Sequence, residues 1–125
     1  MIELLLHAER TLAMGRLDEA ERLYRQALDA DPRNAIATVG LARLAIERGE
    51  DTEAYRLAER ALELDPENAA AVRLAVRLHE VLGTRGERVD LPPALRRPGG
   101  TGVRDDAQGR ARRGLLDRLL RRGRA

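Results

Sequence analysis

The chain contains no cysteine, lysine, serine, tryptophan or phenylalanine. Losing the thiol, the amine and the serine hydroxyl removes the usual nucleophiles of covalent catalysis, and without cysteine there is neither a disulfide nor a thiolate metal site. No enzymatic activity and no cofactor are expected. Two histidines are present, His7 and His79, far apart in the chain and outside any HExxH-type spacing, so no metal site is expected either. No apolar run approaches the roughly 18 residues that would span a bilayer. The opening MIELLLHAER has neither the basic leader nor the small-residue cleavage site of a secretory signal, which makes a cytoplasmic location the expectation.

What is present is a helical composition. The 125 residues are 43% apolar and 35% charged, which suits one small soluble domain. All 23 basic residues are arginine, and the arginine-, alanine-, leucine- and glycine-rich usage is that of a GC-rich bacterial coding sequence, with no bearing on function. Charge is unevenly divided. Residues 1–83 carry 11 Arg against 16 acids, a net of −5, whereas residues 84–125 carry 12 Arg against 5 acids, a net of +7. The texture changes at the same place, from long apolar periodicity to the Pro- and Gly-interrupted GTRGERVDLPPALRRPGGTGVRDDAQG, which predicts a boundary near Gly83 and a flexible linker over 84–109. The PGGTG segment within it is Gly-rich like a phosphate loop, but no lysine follows and no strand leads into it.

The first part repeats itself. Shifting the sequence by 34 residues superposes 1–34 on 35–68 at twelve identical positions, among them Gly15/Gly49, Ala20/Ala54, Ala27/Ala61 and the DPxN blocks that begin at Asp31 and Asp65. Each unit reads as two helices. Leu4, Leu5, Ala8 and Leu12 fall at three- and four-residue spacing, as do Leu17, Ala20, Tyr24, Ala27 and Leu28. Gly15 stands between the two runs, where a turn needs a residue free of Cβ. Pro32 and Pro66 end the second helix of each unit, and Asn34 and Asn68 are suited to cap the helix that follows. A final helix over 69–83 has Val72, Ala75, Val76 and Leu78 to turn inward and Arg73, Arg77 and Glu80 to face water. The expected fold is all-α, with five helices.

The period, the small residues at Ala8/Ala42, Ala20/Ala54 and Ala27/Ala61, Gly15/Gly49, Tyr24 and Pro32/Pro66 closely resemble the tetratricopeptide repeat. The resemblance implies a helical-hairpin solenoid with repeats at 1–34 and 35–68 and a capping helix at 69–83. Departures stand at His7, at Asp51 where the first repeat has Leu17, and at Ala58 where it has Tyr24. The resemblance also implies a concave groove lined by the first helix of each repeat, a surface for binding another protein. Its positions here are Ile2, Leu5, Glu9 and Leu12, then Ile36, Val39, Arg43 and Ile46, then Ala70, Arg73 and Arg77. The clamp by which some members hold a chaperone's terminal carboxylate would fall on Leu5, Glu9, Gly40, Ala70 and Leu74, which cannot form it.

The last segment, 110–125, reads as a basic amphipathic helix. Leu115, Leu116, Leu119 and Leu120 form one stripe, and Arg118, Arg121 and Arg122 stand among the residues around it. Such a segment is too short to be stable alone and is expected to fold on docking, onto its own repeat body, a second copy, another protein or an anionic membrane. Nucleic acid is a weaker expectation, since the tail has no aromatic residue for stacking. The reading as a whole is an adaptor or assembly protein that takes a partner segment in its groove, with the tail as a second docking element. Its rival is a peripheral accessory protein whose arginines bind a membrane or nucleic acid.

Overall fold

The computed structural model describes residues 1–87 and 90–96. They form α1 (Ile2–Ala13), α2 (Leu17–Ala30), α3 (Ala35–Glu47), α4 (Asp51–Leu64) and α5 (Ala69–Thr84), followed by a 3-10 turn at Pro93–Leu95. Successive helices pack against each other, and α1 also touches α3, so the first helices of the two repeats stack side by side.

The punctuation works as local chemistry requires. The residue before a proline is pushed out of the α region, and Asp31 and Asp65, each preceding a proline, adopt extended backbone at the ends of α2 and α4. Their carboxylates accept the backbone N–H of Arg33 and Glu67, two residues on. Asn34 and Asn68 then start α3 and α5, each Oδ1 accepting the N–H three residues ahead, from Ala37 and Ala71, at 2.9 Å. Gly15 and Gly49 close the turns between paired helices at φ +81° and +78°.

The third turn departs from the expected place. Gly83 is the repeat equivalent of Gly49, but it lies inside α5, and the left-handed residue is Gly86 at φ +84°. The hydrogen-bond pattern is the same one moved along by three residues. Gly15, Gly49 and Gly86 donate three residues back, and Arg16, Glu50 and Glu87 donate five residues back, to Thr11, Ala45 and Leu82. Among the described residues, packing continues past Gly83 as far as Leu95, because Pro92 and Leu95 are buried and Leu91 packs against the same apolar cluster as Tyr55, Leu62, Leu78 and Leu82. The Tyr55 hydroxyl donates to the carbonyl of Asp90 at 2.6 Å. A strap at 90–96 thus takes apolar surface that a sixth helix would cover in a further repeat.

Alanines sit where helices cross. Ala8, Ala20, Ala27, Ala54, Ala58, Ala61 and Ala75 are all fully enclosed. Helix α3 is buried almost all round, from Ala37 to Ala42 and again at Leu44 and Ala45, because it packs against α1, α2 and α4 at once. Asp51 loses the apolar contact of Leu17 and gains Arg85, whose Nη2 lies 2.6 Å from its carboxylate.

Candidate concave surface

Helices α1, α3 and α5 bring the 34-residue equivalents into rungs, and burial sorts them. Ile2, Ile36 and Ala70 form one rung, with Ile2 72% and Ile36 50% exposed. Glu9, Arg43 and Arg77 form another, with Glu9 and Arg77 exposed and Arg43 half-buried, and Leu12 and Ile46 are half-buried as well. Leu5, Val39 and Arg73 share a register position but not a fate. Leu5 and Val39, expected as groove-lining, are core residues at 7% and 3% exposure, whereas Arg73 is exposed. The physical reason is stacking. Leu5 joins the cluster built from α1, α2 and α3, and Val39 joins the one built largely from α4 and α5. Among the described residues no further helix stacks beyond α5 to cover Arg73.

One cleft of about 350 Å³ opens here, lined by Arg43, Ala70, Arg73, Leu74 and Arg77. The sequence puts these three arginines toward one end of the expected groove, and the tertiary structure brings them to one cleft. Leu6, 48% exposed on α1, adds apolar surface that the sequence reading left out.

Several other charged groups pair with one another. Arg48, at the C-terminal end of α3, reaches back to Asp18 at 2.7 Å and Glu21 at 2.8 Å on α2. This contact, with a smaller one from Arg25, holds the Glu21 carboxyl below its ordinary range. Arg56 does the same for Glu53. Burial pushes Glu59 up, helped by the neighbouring charge of Glu63. His7 stands 4.0 Å from Glu19 on the surface, and His79 lies near the ring of Tyr55. Among the described residues no group of three or more His, Cys, Asp or Glu side chains is placed to hold a metal ion, and no helix is long and apolar enough to cross a membrane.

One tyrosine is packed against α3 beneath this surface. Tyr24 is fully enclosed, and its hydroxyl has no hydrogen-bond partner among the described residues. Burial, with the charge of Glu9 adding and that of Arg43 opposing, pushes its phenol up to about 12. Its ring occupies the space that a side chain at Gly40 would need. Gly40 is therefore a packing seat, a role the sequence reading did not assign.

The tail positions Leu115, Leu116, Arg118, Leu119, Leu120, Arg121 and Arg122 lie outside the described residues. Comparison with known proteins finds the tetratricopeptide repeat family model matching residues 11–78, more than half the chain. No curated protein and no solved structure matches.

Proposed function

The chain belongs to the tetratricopeptide repeat family, and from that premise we propose that it is an adaptor or assembly factor, taking a segment of a partner protein along the concave face of α1, α3 and α5. Repeats of this family typically bind other proteins and are not typically catalytic. The observation that carries the reading is the pairing on one face of exposed apolar side chains, Ile2 and Ile36, with the arginine-lined cleft of Arg43, Arg73 and Arg77. Apolar anchors next to charged positions are what helix-in-groove recognition uses. The arginine- and leucine-rich segment 110–125 serves as a second docking element, and its opposite charge to the repeat body supports this. The net +7 of residues 84–125 also favours a rival in which that segment anchors the protein to an anionic membrane or nucleic acid. Binding of that kind weakens steeply with salt, and apolar groove binding does not.

Site-specific photocrosslinking tests the reading. A crosslinker at Ile36 should capture the partner, and one at Gln26, exposed on α2, should not. Capture from Gln26 alone would move the interface to the other face.

A further inference from the structure

We propose that Arg43, Arg73 and Arg77 form a seat for the side-chain carboxylates of an acidic, Asp- or Glu-bearing segment of the partner. This deepens the concave-face reading and rests on it.

Arg73 and Arg77 are four residues apart on α5 and so project from one helix face, where like charges repel. Arg43 on α3 lines the same cleft, with Ala70 and Leu74 between them as apolar floor. Among the described residues none of these three guanidinium groups lies within salt-bridge distance of a carboxylate. Arg10, Arg22, Arg33 and Arg96 also lack such a partner, but they stand on four separate segments, whereas Arg43, Arg73 and Arg77 line one cleft. The cleft therefore gathers three cations of which none is paired, Glu9 being the acid that shares the rung of Arg43 and Arg77, and a carboxylate entering it relieves repulsion while it gains paired, charge-assisted N–H···O bonds from planar guanidinium donors.

Two features favour a polypeptide over a phosphate backbone. The cationic positions adjoin the apolar rung of Ile36 and Ala70, which suits an occupant that alternates acidic and apolar side chains. No aromatic platform is available to stack bases, because the only rings of the Tyr, Phe and Trp type are Tyr24 and Tyr55, buried at 0% and 4% exposure.

The test uses the full chain and a short amphipathic peptide of Leu and Glu, with its Glu-to-Gln counterpart and a single-stranded oligouridylate as controls. The Leu/Glu peptide should shift the guanidinium Nε–Hε resonances of Arg43, Arg73 and Arg77. Its binding should weaken about tenfold in an Arg73→Gln, Arg77→Gln variant that melts like the wild type, and by a similar factor with the Gln peptide. Equal binding of the Glu and Gln peptides, with the Ile36 methyls still shifting, would overturn the carboxylate seat and leave the concave-face reading standing. Failure of either peptide to shift Ile36 or the three arginines would overturn both. Stronger shifts with the oligouridylate than with the Glu peptide would make the cleft a phosphate seat and sink the proposal.

Discussion

The ring of Tyr24 on α2 lies over the bare backbone of Gly40 on α3, so close that a Cβ there would fall inside it. One repeat later the residue types are exchanged. Ala58 stands at the Tyr24 position, enclosed in the cluster built largely from α4 and α5, and Leu74 stands at the Gly40 position, half-buried against that cluster.

Gly40→Ala sets two effects against each other. Helix propensity favours alanine by about 1 kcal/mol, whereas overpacking typically costs about 1 to 3 kcal/mol and here involves a rigid, fully enclosed ring. We expect net destabilisation of up to about 2 kcal/mol in urea unfolding. Exchanging the sizes, with Tyr24→Ala and Gly40→Leu together, should recover part of the loss of either single change. Additive losses would show that the two positions do not share one space.

Tyr24→Phe should be neutral or stabilising by up to about 1 kcal/mol, because it removes a buried hydroxyl that has no partner among the described residues. The same group predicts an alkaline response. Tyr24 and Tyr55 are both pushed up to about 12 by burial, while an unfolded phenol titrates near 10. The unfolded chain therefore gives up these protons first, so this contribution to stability is complete below about pH 10 and falls as pH rises towards 12. Unfolding midpoints at pH 9 and 11 measure it, and the drop should shrink in Tyr24→Phe. An identical drop would remove Tyr24 as its source.

Tyr55→Phe should cost about 1 kcal/mol through the lost bond to the Asp90 carbonyl. Leu95→Ala should cost about 2 to 3 kcal/mol if the strap is part of the cooperative fold. Amide exchange at residues 90–96 should quicken in both variants. A Leu95→Ala protein with wild-type stability would reduce the strap to a surface contact.

Two α3 residues expected to line the groove should behave differently under the same change. Ile36→Glu places an acid in the first turn of α3, where the helix dipole favours it, on a half-exposed site. Its melting temperature should stay near that of the wild type. Val39→Glu puts an unpaired charge in the core and should lose more than about 3 kcal/mol. Circular-dichroism melts of the two variants decide it, and equal stability would mean that Val39 is not enclosed.

The repeat, the five helices and the caps were readable from the chain because they rest on local backbone chemistry. An aspartate before a proline, an asparagine three residues ahead of a free N–H and a glycine at positive φ act within one turn, whatever packs nearby. Periodicity also gave each side chain its angular position on its own helix. It could not say what covers that position. Leu5, Val39 and Arg73 share a register, and the first two are buried because the solenoid stacks another helix beside them, while α5 leaves Arg73 to solvent. The strap whose Leu95 packs into the cluster of α4 and α5, and the meeting of Arg43, Arg73 and Arg77 at one cleft, follow in the same way. Each depends on contacts between segments distant along the chain, and such contacts exist only once the helices are stacked.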